Sequence, residues 1–311
     1  MKIFITGIAG MLGANIAYLL NEKYVISGAD LIKVNMNNVK TYDFDMLDYE
    51  NLKKILCTER PDIILHTAAA VNVDKCETDV EYAENLNVIL TKYLCEIASQ
   101  IKAKIVYIST DAVYSGEDTK LYSENMQVNP INVYGRTKLC GEHLVLQDTD
   151  NLVLRTNIYG YNLQNKYSFG EWIINALANG ETLNMFTDID FSPILVNDLT
   201  EIIDMSISKK LNGIYNVCAT GCITKYEFGC YLQNVFGYKK GVINQALSIE
   251  HNFVAKRSLH MGMDNSKIRM LLNCNIKTPI QSIDYFYELY QKNYQKKIKA
   301  FGGIEDGNKD R

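Results

Sequence analysis

Lys2-Ile3-Phe4-Ile5-Thr6-Gly7-Ile8-Ala9-Gly10-Met11-Leu12-Gly13 is the stretch that decides the fold class. Its first residues form a short apolar run of the kind found in strands buried on both faces. The glycines recur every third position and lead into Ala14-Asn15-Ile16-Ala17-Tyr18-Leu19-Leu20, which reads as a helix. Strand, glycine-rich turn and helix in this order suit a dinucleotide: glycine lets the backbone approach a pyrophosphate, and the helix N-terminus offers free N–H groups and a favourable dipole. Gly7, Gly10, Met11, Leu12 and Gly13 are therefore the expected cofactor contacts of this turn, the last glycine permitting tight helix-to-strand packing.

A second strand, residues 24–30, ends in Asp30, near the spacing at which a carboxylate hydrogen-bonds the adenosine ribose of NAD. Such an acid repels a 2'-phosphate, so NADH is the expected cofactor. Lys33 offsets part of that repulsion and keeps NADPH open as second choice. A third strand near 40–44 brings Asp45 and Met46 to the adenine side. A fourth, Pro61 to His66, runs into Thr67-Ala68-Ala69-Ala70, where small side chains let a cofactor lie against the backbone. Asn87, on the next helix, is counted with Ala68, Ala69 and Ala70 as a cofactor contact. Strand 104–108 then carries Ser109, a further expected cofactor contact, and Thr110 to the carboxyl edge of the sheet, where ligands bind in such folds.

Downstream, Tyr134-Gly135-Arg136-Thr137-Lys138 places a phenol and an ammonium four residues apart on one helix face. A cation beside the phenol favours the phenolate, which brings proton exchange with a carbonyl oxygen toward neutral pH. Thr110 supplies a second hydrogen bond to that oxygen. The chain thus reads as an α/β protein of Rossmann type, a doubly wound parallel sheet, with a catalytic set of Thr110, Tyr134 and Lys138. Residues 1–160 are expected to form the dinucleotide-binding domain. Residues 161–300 should form mainly a smaller substrate lobe with segments that return to the first domain, with helices at 169–178 and 285–294. The polar, glycine-rich stretch 301–311 reads as a disordered tail.

Composition narrows the function further. The 311 residues are 47% hydrophobic with a net charge of −4, which gives no electrostatic footprint for nucleic acid or an anionic membrane. No segment has the length of a membrane-spanning helix, and glycines interrupt the place where a signal peptide would need an unbroken apolar run, so a cytoplasmic protein is expected. The eight cysteines include no Cys-x-x-Cys pair and no histidine at zinc spacing; they read as reduced thiols, with no metal site expected. No serine, histidine and acid arrangement suggests a hydrolase.

The sequence resembles the extended short-chain dehydrogenase/reductases, and most closely the dTDP-4-dehydrorhamnose reductase family. The resemblance rests on Thr6-Gly7-x-x-Gly10-x-x-Gly13, Val71 to Glu77, Ser109-Thr110-Asp111-Ala112-Val113-Tyr114, Asn132 to Lys138, Leu154 to Gly160, Phe191 to Leu199 and Arg257 to Lys267. It implies reduction of a 4-keto-6-deoxy nucleotide-diphosphate sugar. Tyr134 then protonates the developing alkoxide, Thr110 hydrogen-bonds it, and Lys138 holds the nicotinamide ribose while acidifying Tyr134. Lys75, Asp111, Asn157 and Arg257 are implied sugar or pyrophosphate contacts, and a homodimer is the assembly the family suggests.

The chain departs from the family pattern at Ala70, Ala112, Ile158 and Phe191, around the expected sugar pocket, and at Ser258, where the family has proline. Related chemistries stay in view. A 4,6-dehydratase would carry Asp-Glu after Thr110, where this chain has Asp111-Ala112. A reductase that also epimerises needs an added cysteine and histidine pair, and no cysteine stands between Ser109 and Tyr114. A 4-epimerase with bound NAD uses the same three residues, and a non-catalytic regulatory subunit keeps the cofactor without turnover.

Overall fold

The computed structural model describes residues 1–303. Seven parallel strands form the main sheet: β1 (Lys2–Thr6), β2 (Val25–Asp30), β3 (Lys40–Asp43), β4 (Ile63–His66), β5 (Lys104–Thr110), β6 (Leu152–Thr156) and, much later in the chain, Gly213–Asn216. From β1 the chain builds outward through β2 to β3, returns to the other side of β1 for β4, and continues outward through β5 and β6. The reversal opens a crevice beyond the carboxyl ends of β1 and β4, the position where ligands of doubly wound sheets lie. Both faces are covered by helices: α1 (Met11–Leu20), α2 (Tyr49–Glu59), α3 (Val73–Thr78), α4 (Val80–Glu84), α5 (Leu90–Ile101) and α6 (Val133–Val145). Between α4 and α5 the backbone winds one π-helical turn, Asn85–Ile89. The central strands bury alternate side chains against opposite helical layers: Ile3, Ile5, Leu65 and Val106 in one cluster, Phe4, Ile64, Ile105 and Tyr107 in the other.

The second lobe begins with β7 (Ile158–Tyr159) and α7 (Phe169–Ala178), followed by β8 (Thr182–Phe186), β9 (Asp190–Phe191), β10 (Ile194–Leu195) and α8 (Val196–Ser208). The chain then returns to the main sheet as β11, the Gly213–Asn216 strand, which pairs with β6. It leaves again through β12 (Ile223–Thr224), α9 (Lys225–Phe236), β13 (Val242–Ala246) and β14 (His260–Met261). Three helices finish the described chain: α10 (Ser266–Leu272), α11 (Pro279–Gln291) and α12 (Tyr294–Phe301). Aromatic packing holds this lobe: Tyr159 meets Phe228 and Phe286 edge-on, and Tyr161 stacks on Phe286 at 4.3 Å.

The C-terminal helix expected over 285–294 is two helices. It starts earlier, at Pro279, behind a Thr278 and Gln281 capping box, and it breaks at Asn293, whose φ of 55° belongs to the left-handed region. Residues 301–303, grouped with the tail by composition, are folded: Phe301 is buried, and Gly302 O accepts a hydrogen bond from Asn35 N. The rest of that tail lies outside the described residues. No helix among the described residues is long and apolar enough to cross a membrane.

Candidate active site

At the head of α1, Gly10 is the N-cap and contributes no side-chain cap, so the amides of Met11, Leu12 and Gly13 point outward without intrahelical partners. Gly7 has φ of 71°, and a Cβ on Gly13 would collide with Gly7 O and come within 2.8 Å of Ile8 Cα. These residues fit a pyrophosphate: the cradle is made of backbone, and a side chain on Gly13 finds no room within the turn. Changing Gly13 to Ala should therefore push the turn outward and weaken NADH binding by on the order of tenfold, at a stability cost of about 1–3 kcal/mol. Fluorescence titration with NADH and thermal melts check the two effects.

Asp30 stands beside this turn. Its carboxylate accepts from Ala9 N at 3.0 Å and from Ile32 N at 3.1 Å. Burial raises its pKa, against the pull of those amides. Met46 packs into the core near Ala29, while Asp45 accepts from Leu47 N at 2.9 Å.

A chain of buried hydrogen bonds fixes the small-residue segment 67–70. Thr91 Oγ1 donates its single hydrogen to Asn87 O at 2.8 Å, so it must accept from His66 Nε2 at 3.0 Å. His66 is then neutral with its proton on Nε2, and Nδ1 accepts from Thr6 Oγ1 at 2.8 Å. Burial and the Lys138 charge push the imidazole down to about 3, in agreement with that assignment. Thr6 Oγ1 in turn accepts from Ala68 N at 3.3 Å.

Two of the expected cofactor contacts turn elsewhere. The Asn87 amide is spent on the Ala70 peptide, through Oδ1 at 2.9 Å and Nδ2 at 3.3 Å, and on Thr137 Oγ1 at 3.0 Å. It ties the segment carrying Ala70 to the helix carrying Tyr134. Ser109 donates to Glu142 Oε1 at 2.5 Å beneath that helix. Both side chains are buried, where a polar group is held by the nearest internal partner.

Thr110, Tyr134 and Lys138 converge at the carboxyl end of β5. Asn132 caps α6 through Gly135 N at 2.8 Å, which sets the start of the helix and the direction of Tyr134. Thr110 Oγ1 accepts from Ala112 N, donates to Asp111 Oδ1 at 3.0 Å and also contacts the Tyr134 hydroxyl. Lys138 Nζ is buried, donates to Ile108 O at 2.7 Å and lies 4.0 Å over the Tyr107 ring. Burial lowers its pKa to about 7, with Glu142 opposing. The phenol differs from the sequence expectation. Burial raises the Tyr134 pKa well above its usual range, the contact with Thr110 pulls it back, and Asp111 adds to the rise. The attraction of Lys138 goes to a backbone carbonyl, and the phenol stays protonated at neutral pH.

Asp111 is buried next to this pair. Asn157 Nδ2 donates to its Oδ2 at 2.5 Å, so these two expected substrate contacts form one unit. Burial raises the Asp111 pKa, and Lys225 counters it. Lys225 was not legible from its neighbours in sequence. Its Nζ lies 3.3 Å from the Phe191 ring centre and 4.3 Å from that of Phe169. Lys75 is exposed and covers the Tyr82 ring at 3.7 Å. Arg257 binds Asp74 at 2.8 Å, while its Nη1 is buried with no hydrogen-bond partner among the described residues. Asp74 also accepts from Ala255 N, so the 253–257 loop is pinned to α3, and Asn132 Nδ2 donates to Lys256 O. Arg257 and Lys75 thus both stand at α3, and neither bonds to the Asp111 and Asn157 unit among the described residues.

The sequence profile of the RmlD substrate binding domain matches residues 1–291. Among curated proteins, the probable low-salt glycan biosynthesis reductase of Haloferax volcanii is 27% identical, over 89% of this chain and 94% of that protein. A dTDP-4-dehydrorhamnose reductase from Clostridium acetobutylicum superposes with a TM-score of 0.82 at 27% identity, covering 94% of this chain and all of its own. The dTDP-4-dehydrorhamnose reductase of Bacillus anthracis, solved in complex with NADP, does so with a TM-score of 0.82 at 26% identity, covering 92% and 98% of the two chains.

Proposed function

Because this chain belongs to the RmlD substrate binding domain family, within the extended short-chain dehydrogenase/reductases, we propose that it reduces the 4-keto group of a nucleotide-diphosphate 6-deoxysugar, with NADH preferred over NADPH. It is an oxidoreductase of the sugar-nucleotide class. The observation that carries the finer reading is the meeting of Thr110, Tyr134 and Lys138 at the carboxyl edge of the sheet, next to the glycine cradle of α1.

NAD(P)H, when bound, supplies the hydride for the keto carbon. Tyr134 holds the proton that the carbonyl oxygen needs as it becomes an alkoxide, and its raised pKa keeps that proton in place until the oxygen turns basic. Thr110 fixes the direction of the phenol. Lys138 gives one N–H to Ile108 O and has two left for the nicotinamide ribose hydroxyls. Asp30, anchored by two amides, suits the adenosine ribose diol of NADH and opposes a 2'-phosphate.

The test is absorbance at the NADH band with dTDP-, GDP-, UDP- and CDP-linked 4-keto-6-deoxysugars, repeated with NADPH. Rapid loss with one nucleotide, faster with NADH, is the expected result. No loss across the panel while cofactor binds overturns the reductase reading.

A further inference from the structure

Lys225 begins α9 in the second lobe, and the antiparallel pairing of β12 with β9 brings it to the Phe191 ring. Its ammonium rests over two aromatic faces and, among the described residues, has no hydrogen-bond acceptor. Ala112, next to Asp111, packs on the aromatic cluster of Phe191 that carries the ammonium; burial lowers the Lys225 pKa to about 7, and the Asp111 carboxylate opposes that fall. Asp111 is joined to Thr110, whose hydroxyl meets Tyr134, so the ammonium lies on the side of the site where the reacting sugar sits.

We propose that Lys225 is a specificity-determining residue of the sugar subsite, donating hydrogen bonds to hydroxyl oxygens of the hexose whose keto group faces Tyr134. This rests on the sugar-nucleotide reading and deepens it. A hydroxyl can accept from an ammonium with a lone pair while donating its hydrogen to a carboxylate, so the Lys225 and Asp111 pair is matched to a neutral polyol. A diphosphate at the same place would face the Asp111 carboxylate without a hydrogen to offer it, in a site too dry to screen the repulsion. Asp111 has capacity for this role, since Thr110 and Asn157 take only part of its lone pairs. The Phe191 ring supports the ammonium from below.

Calorimetric titration of the full chain, as wild type, Lys225→Met and Lys225→Arg, tests the assignment with NADH, with the nucleoside diphosphate alone, and with the corresponding nucleotide-diphosphate 6-deoxyhexose. In Lys225→Met, affinity for the sugar nucleotide should fall by on the order of tenfold to a hundredfold, as expected for loss of a charge-assisted hydrogen bond. NADH and nucleoside diphosphate affinities should hold, which also shows that the variant is folded, and Lys225→Arg should recover part of the loss. An equal fall for the nucleoside diphosphate, or no fall for the sugar nucleotide, overturns the role of Lys225 alone. A wild type that binds NADH and none of the sugar nucleotides removes the functional reading and this assignment with it.

Discussion

Replacing Tyr134 by Phe should lower turnover on the preferred keto sugar nucleotide by a factor on the order of 10² to 10⁴, the usual worth of general acid catalysis, while NADH binds as before. The substitution removes one oxygen and little packing. The ring sits against Ala70, Cys76, Ala83 and Val133, contacts that Phe retains. The direction of the phenol's pKa matters here. A carbonyl that gains a hydride becomes a strongly basic alkoxide, so a donor held above its usual range still transfers its proton downhill. Steady-state kinetics beside an NADH titration separates the outcomes. Near-normal turnover would sink the proton-donor assignment, whereas a parallel loss of NADH binding would point to damage in the crevice.

The second large effect is expected on stability. Glu142 accepts from Ser109 Oγ at 2.5 Å and from Arg155 Nε and Nη2 at 2.9 and 2.6 Å, with both charged side chains almost wholly buried. Arg155 Nη1 donates to the Tyr114 hydroxyl at 2.9 Å, and Tyr114 adjoins Asn216 on β11. One carboxylate thus joins α6 to β5 and β6, and through them to the returning edge strand. Removing it strands a guanidinium in a dry interior, which typically costs about 3–5 kcal/mol. Glu142→Leu should therefore lower the melting temperature steeply. The double variant Glu142→Leu with Arg155→Met should recover most of the loss, since a buried ion pair is often no better than well-packed apolar residues. A single variant as stable as wild type, or a double variant that sums two losses, contradicts this account. Glu142 is also the carboxylate that opposes the lowering of the Lys138 pKa, so partial folding with a shifted pH profile is expected from Glu142→Gln.

Much of the site was legible because its signals are local. The glycine spacing, the acid ending β2 and the Tyr134 to Lys138 interval each lie within one strand–turn–helix unit, where sequence distance and spatial distance agree. The seven-stranded parallel Rossmann sheet follows from the same alternation of strand and helix. The illegible parts depend on contacts made across the chain. Lys225 lies far from Tyr134 in sequence and reaches the site only through the pairing of β12 with β9. Ser109 and Asn87 are polar residues at the right address whose nearest partners, Glu142 and the Ala70 peptide, are internal. Glu142 does carry a local signal, since it stands one turn after Lys138 on the same helix. The upward shift of the phenol comes from burial, which sequence does not display, while the Lys138 ammonium is turned to the Ile108 carbonyl.

The packing of α12 on α1 bears on how the protein is made. Tyr294 donates to Asn15 Oδ1 at 2.8 Å, the Asn15 amide donates to Tyr161 O, and Tyr18 meets both Tyr294 and Phe301 edge-on. On a ribosome, α1 with its glycine turn emerges early, yet the residues that cover its outer face emerge hundreds of codons later. Until then a nascent chain carries an uncovered apolar stripe beside an unfinished sheet that still lacks β11, a form that invites association with other chains. Cofactor capture should therefore follow completion of the second lobe, and chains stalled before residue 294 should be ready clients of chaperones.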